Sequence, residues 1–132
     1  MWKAKKVLGE LTDNYEIVIV DDASTDGSGE MLKELALSDG RIKALRHRKN
    51  KKLGAALKTG FYNARGDVII YSDIDLPFEL ENLKQFLPLL EQVDIVIGKR
   101  KGIRESLLRI IYSKVYNGMI RRIFGISVSD IN

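Results

Sequence analysis

The chain has 132 residues, a formal net charge of +4, 45% apolar residues and 30% charged residues. This composition fits one modest globular core and excludes the disordered classes. The absence of cysteine excludes disulfides and thiolate metal sites. No run approaches 18 uncharged apolar residues, so the sequence predicts neither a membrane-spanning helix nor the apolar region of a signal peptide.

Hydrophobic periodicity predicts helices that alternate with strands along the chain. We expect helices over residues 2–11, 29–37, 54–64, 80–90 and 106–125. We expect strands over residues 15–20, 42–45, 68–71 and 94–98, the third of them central and buried. Such alternation predicts an α/β fold with a mostly parallel sheet, right-handed crossovers and flanking helices.

Two acidic pairs follow predicted strands. Asp21 and Asp22 end the first strand, and Asp73 and Asp75 follow the apolar run of residues 68–71. Because ligands of open α/β sheets bind at the carboxyl ends of the strands, we expect these four carboxylates to converge there. Carboxylates two residues apart suit a hard cation such as Mg²⁺ or Mn²⁺. The alternative for the second pair alone is a solvated strand end or a helix cap.

Charge alternates in blocks along the chain. Residues 13–39 contain eight acidic residues and one lysine, residues 40–66 contain nine basic residues and no acid, and residues 99–122 contain eight basic residues and one glutamate. Acidic and basic clusters side by side suit a site where a metal and cationic side chains share a diphosphate. The alternative is that these blocks are solvated faces.

The order of motifs resembles the family 2 glycosyltransferases of GT-A fold. The resemblance is carried by Tyr-Glu-Ile-Val-Ile-Val-Asp-Asp-Ala-Ser-Thr-Asp-Gly-Ser over residues 15–28, by Asn50, Gly54, Ala56, Gly60, Ala64, Gly66 and Asp67, and by Asp73-Ile74-Asp75. The third basic block is similar to that of the dolichyl- or undecaprenyl-phosphate sugar transferases, the dolichol-phosphate mannose synthase type. That further likeness rests on Gly98, Lys99, Arg100, Arg109, Ser113, Asn117, Phe124, Gly125 and Asp130.

The resemblance implies an inverting transfer from a nucleotide-diphosphate sugar, GDP-mannose or a UDP-sugar, to a polyprenyl phosphate at the membrane surface. It implies that Asp22, with Asp21 beside it, binds the nucleotide base and ribose. It implies that Asp73 and Asp75 bind Mg²⁺ or Mn²⁺ on the diphosphate, so that Asp73 also belongs to the nucleotide site and Asp75 to the catalytic set. The acceptor phosphate is then held by Arg100, Arg109 and Ser113, whereas Asp130 matches a motif aspartate without an assigned role.

The chemistry of the residues agrees with that implication. A metal held by two carboxylates stabilises the charge that develops on a departing diphosphate. Because a polyprenyl phosphate is already an anionic nucleophile, oriented Arg and Ser donors are needed and a strong base is not. We therefore expect His47 to belong to an exposed basic loop over residues 46–52.

The last predicted helix has two interpretations. Arg109, Ser113 and Asn117 recur every fourth residue and would form one ridge that could meet a phosphate. The apolar residues and interspersed basic residues of the same segment suit a helix lying against anionic lipid. The alternative is a core-packing helix whose basic side chains extend outward.

The sequence differs from the family pattern in ways that predict a partial catalytic domain. By that resemblance, we expect the chain to begin after the family's first strand, to carry Lys52 where Gly is usual, and to end soon after the motif aspartate Asp130. We expect residues 1–132 to form a single partial catalytic domain, with an acceptor-side helical segment from about residue 99. A second copy or a complementing chain would then fill the open strand position. We expect a cytoplasmic location, with peripheral binding at the cytoplasmic face of the membrane.

Three functional hypotheses follow from the sequence. The first is a metal-dependent sugar transferase or a fragment of one. The second is a catalytically inactive domain of the same descent that retains nucleotide binding or needs a partner chain. The third is a nucleic-acid-binding module, suggested by the basic run of residues 46–52. The third ranks lowest because no recognised nucleic-acid motif accompanies that run, so we expect no specific nucleic-acid partner.

Overall fold

Two parallel strands form the sheet within the described part of the chain. The computed structural model describes residues 2–73, 79–98 and 107–125, with the backbone alone for residues 107–113 and 124. Strand β1 (Ile17–Asp21) pairs in parallel with β2 (Ile42–Arg46), so that Asp21 lies opposite Arg46. Both segments are rich in β-branched and aliphatic residues, which fit a pleated, half-buried surface.

Three helices accompany this sheet. They are α1 (Trp2–Leu11), α2 (Ser28–Ser38) and α3 (Lys52–Asn63). Helix α2 packs against β2, and α3 packs against β1. The buried apolar side chains in the described residues are Val7, Ile42, Leu80 and Leu83. The expected α/β class, with a parallel sheet flanked by helices, is confirmed.

The segment predicted as one helix over residues 80–90 is divided into three pieces. A 3₁₀ turn over Leu80–Asn82 leads into the short helix α4 (Leu83–Phe86), and a second 3₁₀ segment covers Leu87–Glu91. Pro88 lies near the start of that last piece. Because proline lacks a backbone N–H and its ring clashes with the preceding turn, it interrupts the α-helical hydrogen bonding.

The strands predicted over residues 68–71 and 94–98 are wrong. Both segments are described, and neither forms a strand. The apolar side chains of residues 68–71 are 41 to 49% exposed, and Ile95 is 75% exposed. A strand needs a neighbour that accepts and donates backbone hydrogen bonds. The apolar runs indicate a tendency toward burial, but no strand lies beside them in the described residues.

Helix α5 (Leu107–Phe124) ends the described chain. The chain divides into two compact units, Met1–Lys84 and Gln85–Asn132, and α5 belongs to the second. In the residues that the structure describes, no helix combines the length and apolar character needed to cross a membrane.

Candidate functional site

Asp21 is a buried carboxylate at the carboxyl end of β1. Its side chain is 2% exposed, and its Oδ1 accepts a hydrogen bond of 2.9 Å from the Ser24 amide. Its Oδ2 lies 3.1 Å from Arg46 Nε in an ion pair, but no group among the described residues donates a hydrogen bond to that oxygen. Hydrogen bonding by Ser24 lowers the pKa of Asp21 most, and the Arg46 charge lowers it further, against the opposing effect of burial.

Arg46 connects the ends of both strands to α2. Its Nη1 donates to Glu30 Oε1 over 2.9 Å, and its Nη2 donates to the Ser24 carbonyl over 2.8 Å. Gly29 leaves room for this arrangement, because a Cβ at that position would lie 2.6 Å from Arg46 Cζ and 2.8 Å from Asp21 Oδ2. The loop after β1 is thereby fixed to the end of β2.

The Asp22 carboxylate accepts hydrogen bonds from backbone amides at the start of a helix. Its Oδ1 accepts from the Lys51 amide over 2.9 Å, and its Oδ2 accepts from the Lys52 amide over 2.7 Å. These amides lie at the amino end of α3, where backbone N–H groups are unsatisfied by the helix itself and negative charge is favoured. Asp22 thus acts as an anionic cap for α3 from a distant part of the chain.

His47 continues this network. Its Nδ1 lies 2.6 Å from Asp22 Oδ1, and its Nε2 lies 2.9 Å from the Thr59 hydroxyl in the middle of α3. The His47 side chain is 8% exposed, so the expectation of an exposed loop residue is wrong. The physical reason is that His47 follows β2 directly, where it faces the end of β1 and the helix packed on it. The hydrogen bond from His47 lowers the pKa of Asp22 most, followed by the amides of the α3 start.

Asp73 lies outside this cluster of contacts. Its Oδ1 accepts a hydrogen bond of 2.8 Å from the Tyr71 hydroxyl, which raises the pKa of Tyr71. The Tyr71 ring packs edge-to-face on Phe61 of α3, with ring centroids 6.4 Å apart. The segment after residue 67 therefore runs beside α3, although it does not pair as a strand.

The other predicted site residues are described only in part. Asp75 and Arg100, as well as Asp130, lie outside the described residues. The structure places Arg109 and Ser113 on α5 without describing their side chains. Among described residues, no group of three or more His, Cys, Asp or Glu side chains could hold a metal ion. The carboxylate oxygens of Asp73 are nevertheless the hard donors that Mg²⁺ and Mn²⁺ take.

Comparisons with known proteins identify the family of the chain. The model of the family described as "Glycosyl transferase family 2" matches residues 4–130. The chain belongs to glycosyl transferase family 2. The fold and the family expected from the motifs over residues 15–75 are therefore confirmed.

The names of the curated relatives describe transferases that act on undecaprenyl phosphate. The undecaprenyl-phosphate 4-deoxy-4-formamido-L-arabinose transferase of Proteus mirabilis is 33% identical over 123 residues, which are 92% of this chain and 38% of that protein. The enzymes of that name from Photorhabdus laumondii and Pseudomonas fluorescens are each 36% identical over 123 residues, or 92% of this chain and 38% and 36% of those proteins. The chain thus spans less than two fifths of the length of these relatives.

For a family 2 glycosyltransferase, the contacts around Asp21 and Asp22 add residues that sequence reasoning missed. His47, Thr59 and Arg46 were not predicted as part of the site. The sequence contained a signal for two of them, because Arg46 and His47 follow the predicted strand over residues 42–45 as Asp21 and Asp22 follow the one over residues 15–20. Carboxyl ends of adjacent parallel strands meet at one edge of a sheet. Thr59 carries no such signal, since its role depends on how α3 packs.

Proposed function

We propose that the chain forms a glycosyltransferase, or a fragment of one, that transfers a sugar from a nucleotide-diphosphate sugar to a polyprenyl phosphate, with inversion at the anomeric carbon. The observation that carries the proposal is the cluster of Asp21, Asp22 and their partners at the carboxyl edge of the parallel sheet of a family 2 glycosyltransferase. The names of its relatives favour undecaprenyl phosphate over dolichyl phosphate as the acceptor to test first. They also favour an arabinose derivative over mannose.

In this proposal, Asp21 and Asp22 serve the nucleotide. Both carboxylates have pKa values below their ordinary range, so both carry negative charge at neutral pH. A carboxylate accepts hydrogen bonds from the N–H groups of a base or the hydroxyls of a ribose. Asp22 lies at the more accessible of the two positions, with a side chain 20% exposed against 2% for Asp21.

Asp73 and Asp75 would hold Mg²⁺ or Mn²⁺ in the same proposal. When bound, the ion supplies positive charge that stabilises the departing nucleoside diphosphate. Tyr71 orients the Asp73 carboxylate by donating to its Oδ1. The Asp73 carboxylate is therefore held in one orientation. We assign it the role of binding the metal ion next to the diphosphate.

The acceptor side is assigned to Arg100, Arg109 and Ser113. Their donors would bind and orient the phosphate of the lipid, which attacks the sugar without a general base. On α5, Val115, Met119 and Ile123 lie four residues apart and are 61%, 54% and 67% exposed, with Lys114 also exposed. An apolar ridge beside basic residues supports contact with a membrane surface that contains the acceptor. We place that surface at the cytoplasmic face, with residues from about 99 onward as the acceptor-side segment of one catalytic domain.

The test is calorimetric titration of the purified chain with GDP-mannose and UDP-sugars, in Mn²⁺ and again in EDTA. We expect binding in Mn²⁺ that is at least tenfold weaker in EDTA. The Asp75→Ala variant should lose the effect of the metal, whereas Asp13→Ala, in the exposed turn after α1, should retain it. Asp75→Ala with unchanged Mn²⁺-dependent binding would overturn the metal assignment. A folded chain that binds no nucleotide sugar in either condition would overturn the donor assignment.

Turnover distinguishes an enzyme from an inactive binding domain. A radiolabelled sugar from the donor that binds best should appear on undecaprenyl phosphate in detergent micelles. Dolichyl phosphate in the same assay compares the two acceptor classes. Binding without transfer to either lipid, alone or with a complementing chain, would favour the inactive domain.

A further inference from the structure

His47 is the single histidine of the chain, and it is buried although the proposed reaction gives it no role. Its ring connects the end of β1, through Asp22, to the middle of α3, through Thr59. A buried imidazole with both ring nitrogens bonded has a fixed orientation. This fixed ring has only one charged neighbour at hydrogen-bond distance in the described residues, the carboxylate of Asp22.

The Asp22 carboxylate is correspondingly constrained. Three donors converge on it, the His47 ring and the amides of Lys51 and Lys52. Since a carboxylate can only accept, His47 Nδ1 must carry the proton that is shared with Asp22. Hydrogen bonds to an ionised group are shorter and stronger than those between neutral groups, as the 2.6 Å separation indicates.

Backbone strain is concentrated around the same carboxylate. Among the described residues, Ala23 and Lys52 are the non-glycine residues with positive φ, at 65° and 70°. Ala23 follows Asp22 in the chain, and the Lys52 amide donates to Asp22. Non-glycine residues persist in this conformation only where surrounding contacts determine it, and such strain clusters at functional sites.

We propose that His47 is a positioning residue of the donor site, which orients the Asp22 carboxylate toward the nucleotide by holding it against the start of α3. This inference rests on the proposed function of Asp22. Without the Nδ1 donor, the carboxylate loses its buried contact, turns away from the position that the base and ribose require, and holds the Lys51 and Lys52 amides less firmly. Thr59 acts one step further away, by fixing the ring through Nε2.

Three variants distinguish the contribution of Nδ1 from that of Nε2. In His47→Asn, the side-chain amide lies close to the position of Nδ1 and can still donate to Asp22. In His47→Gln, the amide lies close to the position of Nε2 and can reach Thr59 but not Asp22. Thr59→Val removes the hydroxyl at nearly constant volume, and thermal unfolding of each variant reports how much stability it loses.

The first measurement needs no nucleotide. Amide proton shifts and exchange rates of Lys51 and Lys52 report whether the Asp22 carboxylate remains in place. We expect both amides to stay protected in His47→Asn and to exchange about tenfold faster in His47→Gln, which corresponds to losing one hydrogen bond to a charged group. Equal exchange rates in the two variants would overturn the positioning of Asp22 by His47.

The second measurement is the dissociation constant of the donor nucleotide. We expect His47→Asn to bind within about threefold of the parent chain, and His47→Gln to bind about tenfold more weakly, at similar unfolding temperatures. A purely structural role predicts losses that follow stability in both variants, and that result would overturn the proposal. If the parent chain binds no nucleotide, the proposed function fails, and the amide measurement still decides whether His47 positions Asp22.

Discussion

At the scale of single residues, the chain stores conformational strain next to one carboxylate. Ala23 and Lys52 both adopt the left-handed region of φ, which costs an L-residue about 1–2 kcal/mol. Asp22 stabilises the conformation of Lys52, because its Oδ2 accepts a hydrogen bond from the Lys52 amide. Lys52 stands where the resemblance leads us to expect Gly, and its positive φ gives a physical reason for that expectation.

Lys52→Gly should therefore stabilise the chain. The substitution keeps the backbone N–H that donates to Asp22 and removes the strain of the positive φ. The greater flexibility of glycine in the unfolded chain offsets part of this gain, so the free energy of unfolding should rise by about 0.5–1 kcal/mol. We expect a rise of about 2–4 °C in the midpoint of thermal unfolding. Lys51→Gly is the matched control, because Lys51 has φ −113° and should gain nothing. Equal effects of the two substitutions would contradict the assigned strain.

Among the secondary-structure elements, local sequence patterns predicted those segments correctly that form their backbone hydrogen bonds internally. The predicted helix over residues 2–11 coincides with α1, and those over 29–37 and 54–64 differ from α2 and α3 by one or two residues at each end. A helix forms its hydrogen bonds within the segment. The run over residues 68–71 depends on a strand elsewhere, so its composition alone did not determine its structure.

The contact between α2 and the end of β2 predicts opposite effects for two glycines. Gly29→Ala should destabilise the chain by about 1–3 kcal/mol, because the new Cβ meets Arg46 Cζ and the buried Asp21 carboxylate. Gly54→Ala in α3 should stabilise it by about 0.5–1 kcal/mol, because nothing lies within 4 Å and alanine favours the helix. Urea unfolding measures both. Stabilisation by both substitutions would show that Arg46 moves aside freely.

At the scale of the whole molecule, the fold brings the acidic and basic blocks of the sequence together. Asp39 accepts from Arg41 and forms an ion pair with Lys5 of α1. Glu30 accepts from Arg46, which also lies against Asp21. Part of the basic charge over residues 40–66 is therefore used within the chain. This internal pairing leaves less of the run over residues 46–52 for a nucleic acid than its sequence suggests.

These pairings predict the response of stability to acid. Lys5, then the Arg41 amide and side chain, lower the pKa of Asp39 well below its ordinary value of 3.8. A carboxyl group whose folded pKa is lowered stabilises the fold above its unfolded pKa and loses that contribution as pH falls through the folded pKa. We expect the free energy of unfolding to decrease below about pH 5, and Asp39→Asn to make that decrease shallower.

Urea unfolding between pH 6 and pH 2.5 measures this dependence. Asp13→Asn is the control, since Asp13 lies in the exposed turn after α1. It should follow the parent chain at every pH. A parallel shift of the Asp39→Asn curve, with no change of slope, would mean that Asp39 supports the fold without its charge.

The amino-acid sequence was sufficient to predict the family, the class of fold and the position of Asp21 and Asp22 at the end of a strand. These features depend on local periodicity and on motif order, which a linear sequence contains. Three features could be seen only in the folded chain: His47 is buried, Asp22 caps α3, and residues 68–71 form no strand. Each of those depends on residues far apart in the chain, because packing must bring a donor and an acceptor within about 3 Å of each other.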